Sequence, residues 1–304
     1  MTRIIAIVGP TATGKTSLAV RLCSVFGGEI VSVDSRQAYR EMEIGTGKDR
    51  RDLPPNLRVH LYDLVSPRDR LSAFDFSRAA ERAIRGISER DQTPFLVGGS
   101  GFYLDVILGR RRLANIGPDL FLRSQLEALT SPELIERLRV LNPQRLQQID
   151  AHNRQRLMRA IEIERAQPFE PKVPNQKSDL DALHSFDPLI VGLTAENGFI
   201  YKRADQRVDD LLAQGLTQEV AGLVKKYGWE APGLKTLGYH EFRPFFEGAM
   251  SLAEVILRLK FNTHAYIRRQ KTYFKRNPSI IWFNITETEF ERRVVREVES
   301  FLRI

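Results

Sequence analysis

Cysteine is nearly absent: Cys23 is the only one in 304 residues. A lone cysteine excludes an internal disulfide and fits a reducing compartment, and Cys23 reads as a small core side chain. Histidine is also scarce, and His60, His152, His184, His240 and His264 are too scattered to share a zinc ion. No apolar stretch approaches the ~20 residues a membrane-spanning helix needs. The N-terminal run Ile4–Val8 is too short for a signal sequence and leads straight into a glycine-rich loop. No internal repeat or low-complexity tract is present. These absences predict a cytoplasmic protein without a membrane segment, a disulfide framework or a zinc site.

Positive charge is in excess. Lys and Arg number 46 against 38 Asp and Glu, giving a formal net charge of +8 and a pI near 9.7. That balance suits a polyanionic partner, and equally a basic enzyme that never meets nucleic acid. A hydrophobic content of 42% is enough for one large or two modest cores.

Gly9-Pro10-Thr11-Ala12-Thr13-Gly14-Lys15-Thr16 forms a complete G-x-x-x-x-G-K-[ST] loop after the apolar run Ile4–Val8, with a helical pattern from Ser17 onward. Such a loop, shared with nucleotide-binding and ATP-binding proteins, aims backbone N–H groups and a lysine at a polyphosphate. Beyond it, short apolar runs alternate with helical patterns, which predicts a parallel sheet with crossover helices. Strands are expected over Ile4–Val8, Ile30–Val33, Pro94–Val97, Leu189–Leu193 and Ile280–Phe283. Helices are expected over Lys15–Phe26, Asp75–Arg90, Gly101–Leu108, Phe199–Ala213, Thr217–Tyr227 and Ser251–Lys275, with a last one ending near Leu302.

Between about Asn115 and Ala166 the strand signals stop and helix starts follow in series. Ser131-Pro132-Glu133, Asn142-Pro143 and Asn153 supply caps, and Leu134, Leu138 and Leu141 recur as a packed face requires. Gln167–Asp181 is polar and proline-rich, a linker. The expected fold is therefore α/β: a P-loop NTPase-like parallel sheet flanked by helices, with an inserted all-helical module. The core covers 1–114 and 183–304, and the module with its linker covers 115–182.

An ordinary P-loop NTPase carries a second acid at the end of a neighbouring strand. Here Pro94–Val97 runs instead into Gly98-Gly99-Ser100-Gly101, and the acid-ended strand is Ile30–Val33 with Asp34. Asp34 is thus a candidate general base or an outer-shell Mg²⁺ partner, or else a cap for the turn at Ser35 and Arg36. Thr16 would give a hydroxyl to the metal. The Gly98–Gly101 turn lets backbone approach something closely, whether a ligand or another part of the protein. Gln155, Arg156 and Arg159 share one side of a predicted helix, suiting phosphate or base-edge contacts or simply solvent. From Arg258 to Arg276 there is no acid, while Arg258, Lys260, Arg268, Arg269, Lys271, Lys275 and Arg276 interleave with Tyr266, Tyr273 and Phe274. That pattern suits an RNA track with stacking platforms, or a helix whose aromatics are core. Arg203 and Arg207, four apart on one helix, could clamp a diphosphate from the side opposite the loop.

Taken together, these motifs resemble the bacterial tRNA dimethylallyltransferases. The resemblance runs in family order through the phosphate loop, Asp34-Ser35-Arg36-Gln37 with Tyr39, Met42-Glu43-Ile44-Gly45-Thr46 with Lys48, and Val97–Leu104. It continues through Gln155–Glu162 and Gly238-Tyr239-His240-Glu241 to Arg269-Gln270-Lys271-Thr272. The sequence departs from the family pattern at Ser100 (usually threonine), Tyr273 (tryptophan), His240 (lysine) and Gly47 (alanine).

The resemblance implies transfer of a dimethylallyl group from its diphosphate to N6 of the tRNA adenosine 3′ of the anticodon, with Mg²⁺ as cofactor, by an enzyme expected to be monomeric. It implies Asp34, Lys15 and Ser100 as catalytic residues, and a diphosphate on Gly9–Thr16, Arg203 and Arg207. The anticodon stem-loop would lie on Asp34, Ser35, Arg36, Gln37, Ser100, Gln155, Arg156, Leu157, Met158, Arg159, Arg268 and Arg269. Three other readings share some features: a small-molecule P-loop kinase, a prenyltransferase acting on free adenine nucleotides, and a non-catalytic tRNA-binding protein.

Overall fold

In the computed structural model the described residues are 1–303 except 49, 112, 115, 118 and 167–185. The strands are β1 (Thr2–Val8), β2 (Gly28–Ser32), β3 (Val59–His60), β4 (Thr93–Gly98), β5 (Phe186–Thr194) and β6 (Ile280–Asn284). They pair in parallel in the order β3-β2-β4-β1-β5-β6. Flanking the sheet are α1 (Lys15–Phe26), α2 (Ala73–Ser88) and α3 (Gly101–Ile107). The helical stretch holds α4 (Leu120–Glu127), α5 (Ser131–Leu141), α6 (Pro143–Gln147) and α7 (Arg154–Ala166). After β5 come α8 (Asn197–Ala213), α9 (Leu216–Tyr227), α10 (Arg243–Phe246), α11 (Leu252–Phe274) and, past β6, α12 (Phe290–Leu302).

Alternation along β1 builds two cores. Ile4, Ala6 and Val8 face a cluster with Phe76, Ala80 and Ile84 of α2, while Ile5 and Ile7 face Leu18 and Leu22 of α1 and Val294 and Val298 of α12. A strand covered on both faces is apolar throughout, which is why Ile4–Val8 was readable as a run. Cys23 belongs to the second cluster, and burial pushes its thiol up to about 12, so it is inert packing. A third cluster joins α8, α9 and α11 to Tyr39, Met42 and Tyr239.

Three expectations need correction. β3 is an unforeseen sixth strand; two half-buried residues make no apolar run. β2 ends at Ser32, so Asp34 lies beyond the strand, in a turn closed by Gln37 N–H donating to the Asp34 carbonyl at 3.0 Å. α5 is capped by Thr130 rather than Ser131, because Glu133 reaches back to the Thr130 N–H and completes a capping box.

The chain divides into two compact units, 1–111 with 181–304, and 112–180. In the smaller unit Leu122, Leu126, Leu134, Leu138, Leu157 and Ile161 form a core of their own. Asn142 caps α6 and Asn153 accepts the Arg156 N–H at the start of α7. The linker Gln167–Asp181 lies outside the described residues. Among the described residues no helix is long and apolar enough to cross a membrane.

Candidate active site

Sheet register assembles the site. Val8 is level with Gly98, and Ser32 with Val97, so the carboxyl ends of β1, β4 and β2 finish together. Three connections leave that edge: the phosphate loop Gly9–Thr16, the turn Gly98–Gly101 and the segment beginning at Asp34. Open parallel sheets hold ligands at this edge.

The phosphate loop is folded by its own contacts. Ala12 and Gly14 take left-handed conformations, with φ of 64° and 82°. The Thr13 hydroxyl donates to the Pro10 carbonyl at 2.9 Å, and Lys15 Nζ donates to the same oxygen at 2.6 Å. Burial, Arg207 and Arg36 together outweigh the attraction of Asp34 and bring the Lys15 ammonium down to about 7. Burial is the leading cause, and the two guanidiniums add to it against the single carboxylate. Arg203 faces Gly14, and Arg207 reaches Gly47, so α8 presents both guanidiniums to the loop region.

The glycine turn is explained by protein contacts. A Cβ on Gly98 would collide with the Val33 carbonyl, and one on Gly99 with the Gln270 amide. The ring of Tyr273 packs on Gly101 while its hydroxyl donates to Asp105 at 2.6 Å. Ser100 precedes α3, donates its N–H to the Val33 carbonyl at 3.2 Å, and sits beside the Tyr266 hydroxyl.

Asp34 is held by its neighbour Arg36. Burial would raise the Asp34 carboxyl, but the Arg36 guanidinium, its hydrogen bonds and Lys15 more than compensate and hold it below the usual aspartate value. Ser35 lies beside the Tyr103 hydroxyl. Gln37 is consumed within the fold: it accepts from Ser32 Oγ at 2.6 Å and donates to the Gly47 carbonyl at 2.8 Å. It ties the 46–47 loop to the end of β2.

A cavity opens beside the loop. Thr11, Arg36, Gly47 and Arg207 line it together with the apolar side chains Ala204, Val208, Leu211, Leu216, Leu237 and Leu259 and the ring of Tyr266. Cationic and apolar walls in one cavity match a ligand with an anionic head and a hydrocarbon tail.

The acid-free basic helix proves mixed. Phe274 is core, Lys260 is paired with Asp209 at 2.8 Å, and Lys271 donates to the Ala195 carbonyl and Asn197. Arg268 and Arg269 stay exposed, with Arg269 5.8 Å from the Tyr266 ring centroid. In the smaller unit the run Gln155–Arg159 also divides. Gln155 and Arg156 are exposed, whereas Leu157 and Met158 are core side chains. Reading Leu157 and Met158 as RNA contacts is thus corrected to packing: they are the apolar face that holds α7 in place. Arg159 donates to buried Glu162 at 3.0 Å and to the Ile116 carbonyl at 2.6 Å.

Glu219 escaped sequence reasoning, and Lys48 entered it only as part of a motif, without its structural role. Glu219, on α9, accepts N–H bonds from Glu43, Ile44 and Gly45 and the Tyr239 hydroxyl bond, at 2.7–3.1 Å. Lys48, fully buried, donates to the Tyr39 carbonyl, Glu43 and Asp63. Glu219 acts across more than 170 residues of sequence, where local patterns carry no signal, and the burial of Lys48 is decided by tertiary packing.

The family model described as IPP transferase matches residues 37–277. This chain belongs to the IPP transferase family. A tRNA dimethylallyltransferase of Roseiflexus sp. (strain RS-1) is 38% identical over 307 residues, covering 99% of each chain. The full-length tRNA isopentenylpyrophosphate transferase of Bacillus halodurans is 31% identical, with a TM-score of 0.72 over 99% of this chain and 96% of that one. A eukaryotic dimethylallyltransferase acting on tRNA shares the fold, with a TM-score of 0.82 at 22% identity, covering 99% of this chain and 80% of that one.

Proposed function

We infer that this chain transfers a dimethylallyl group from dimethylallyl diphosphate to N6 of the tRNA adenosine on the 3′ side of the anticodon, releasing diphosphate. The observation that carries the reading is the cavity in which the phosphate-loop residue Thr11, Arg36 and Arg207 meet an apolar wall. The tRNA dimethylallyltransferase of Roseiflexus sp. and the eukaryotic dimethylallyltransferase acting on tRNA agree with it.

The chemistry follows from the residues. Backbone N–H groups of the loop, Lys15, Arg203 and Arg207 receive the diphosphate and neutralise the charge that grows on it as the allylic C–O bond breaks. An adenine amine is a weak nucleophile, since its lone pair is shared with the ring. Asp34 accepts its proton as the C–N bond forms, with Ser100 and Ser35 beside the base. The adenosine leaves its stack to reach this depth, at a cost of a few kcal/mol. Exposed Arg268 and Arg269, and in the other unit Gln155 and Arg156, are the surface groups assigned to RNA.

Mg²⁺ fits this donor set as an ion carried by the diphosphate. Among the described residues no three His, Cys, Asp or Glu side chains gather to hold a metal by themselves, and Thr16 stands in the first turn of α1. Mg²⁺ commonly keeps waters and substrate phosphate oxygens as its ligands, and Thr16 would add one hydroxyl. When bound, the ion would supply further charge neutralisation on the leaving group.

The test is to incubate the purified protein with unmodified tRNA, dimethylallyl diphosphate and Mg²⁺ and weigh the digested nucleosides. One adenosine per tRNA should gain a single C5H8 unit. Modification of free AMP in preference to tRNA would replace the reading with a nucleotide prenyltransferase, and ATP-dependent phosphorylation of a small molecule would replace it with a kinase.

A further inference from the structure

Arg36 occupies a position that opposes the chemistry assigned to Asp34. Its backbone N–H and Nε both donate to Asp34 Oδ1, at 3.0 and 3.2 Å, and Nη2 donates to Oδ2 at 2.8 Å. Both carboxylate oxygens are engaged, and a carboxylate gripped this way takes up a proton poorly. The same guanidinium lies 5.3 Å from the Tyr266 ring centroid and lines the cavity with Thr11, Gly47 and Arg207. With 18% of its side chain accessible, the partner within its reach is whatever enters that cavity.

We propose that Arg36 is a donor-operated latch, which masks Asp34 in the free protein and swings to the incoming diphosphate, uncovering the carboxylate. The proposal rests on Asp34 being the base. A diphosphate carries more negative charge than one carboxylate and offers the guanidinium fork an equally good bidentate face. Because the Arg36 backbone N–H also holds Oδ1, Asp34 keeps its orientation when the guanidinium leaves. The freed Oδ2 takes the proton from N6, the nitrogen lone pair forms the new C–N bond, and the C–O electron pair departs with diphosphate. An adenine inserted without donor would meet a masked base.

The charged and titratable groups facing Asp34 are Arg36 on its own segment, Lys15 on α1, Tyr103 on α3 and Tyr266 on α11. Tyr239 also faces Arg36, and Arg207 of α8 faces Lys15. Arg36 is the member of this set whose fork spans both oxygens of Asp34 and whose guanidinium also borders the donor cavity.

The experiment compares steady-state turnover of wild type, Arg36→Gln, Arg36→Lys and Asp34→Asn across pH, varying donor and tRNA separately. In wild type, the acid limb of kcat/KM for donor should lie at lower pH than that of kcat, since donor binding uncovers Asp34. In Arg36→Gln the two limbs should coincide at the higher pH, and donor KM should rise about tenfold or more for the lost charge-assisted contact. Arg36→Lys should fall between the two on both readouts, and it carries the test if the glutamine variant folds poorly. Unchanged limbs with unchanged donor KM, or a rise confined to tRNA KM, would overturn the latch. Wild-type turnover by Asp34→Asn would instead remove Asp34 as the base, a separate failure.

Discussion

The side-chain Oε1 of Gln270 accepts the Thr11 N–H at 2.9 Å. The same amide donates from Nε2 to the Gly99 carbonyl at 3.0 Å, so one buried residue of α11 ties the phosphate loop to the turn that carries Ser100. This side chain couples the two turns at the carboxyl edge of the sheet. Gln270→Leu leaves an N–H and a carbonyl unpaired at a cost of about 1–3 kcal/mol. If that cost falls on the assembled site, kcat/KM for donor should drop roughly ten- to hundredfold. Gln270→Glu keeps the acceptor for Thr11 but presents an oxygen to Gly99, and should also lose activity. Kinetics of both variants with thermal melts in parallel check the assignment; a loss of melting temperature with intact kinetics would make Gln270 a packing residue only.

Lys15 gives a stability prediction with a definite sign. Its folded-state value near 7 lies below its ordinary 10.5, so the folded protein binds fewer protons than the unfolded chain between those values. Stability therefore rises with pH across that window, and below it the full penalty of a charged, desolvated lysine is felt. Lys15→Met should melt at a higher temperature than wild type at pH 6, with the advantage shrinking as pH approaches 10, while turnover is lost. Calorimetry over that range decides it; a melting difference that does not depend on pH contradicts a buried Lys15 held well below its ordinary value.

Which parts of this protein could be read from its sequence follows from the range of each interaction. The buried strand β1, the loop after it and α1 are one continuous local pattern, and the expected α1 bounds, Lys15–Phe26, match the observed ones. Asp34 stands out in the sequence because the neighbouring strand β4 ends in glycines, leaving no competing acid. The turn cap read for Asp34 is present, its Oδ1 accepting the Arg36 N–H at 3.0 Å, but the grip of the Arg36 guanidinium on it and the side-chain partner of Gly99 were not legible. Arg36 reads as part of the RNA-contacting run Asp34–Gln37, and its place over the Tyr266 ring, 230 residues away in sequence, carries no local signal. Gln270 reads as one polar residue in a basic helix, and Leu157 and Met158 as part of an RNA-contacting run, because burial is decided by tertiary packing.

Glu219 anchors the 43–45 segment by accepting three backbone N–H bonds and the Tyr239 hydroxyl. Glu219→Ala leaves these donors without their acceptor, and the expected loss is about 2–4 kcal/mol in unfolding free energy. Denaturant melts measure it directly. Glu219→Gln should recover part of the loss, as its carbonyl oxygen still accepts.

Asp34→Ala should abolish prenyl transfer while leaving tRNA affinity mostly intact, since the base is needed for the chemical step and phosphate contacts dominate binding. Single-turnover assays beside filter binding separate the two effects. An unchanged rate would end the assignment of Asp34 as proton acceptor.

Arg156 and Arg159 sit three residues apart on α7 but should respond oppositely to truncation. Arg156 is exposed, 3.9 Å from Asp150, and is available to an RNA phosphate. Arg159 is spent on Glu162 and the Ile116 carbonyl, and Glu162 is buried and also held by Arg123. Arg156→Ala should reduce the salt slope of tRNA binding by about one counterion with an unchanged melting temperature. Arg159→Ala should destabilise the smaller unit by about 1–2 kcal/mol, Arg123 retaining Glu162, and should change the salt slope less. Binding isotherms between low and moderate salt, read with melting curves of each variant, separate a phosphate contact from a structural one; equal salt slopes for Arg156→Ala and wild type would leave α7 without a role in gripping RNA through that residue.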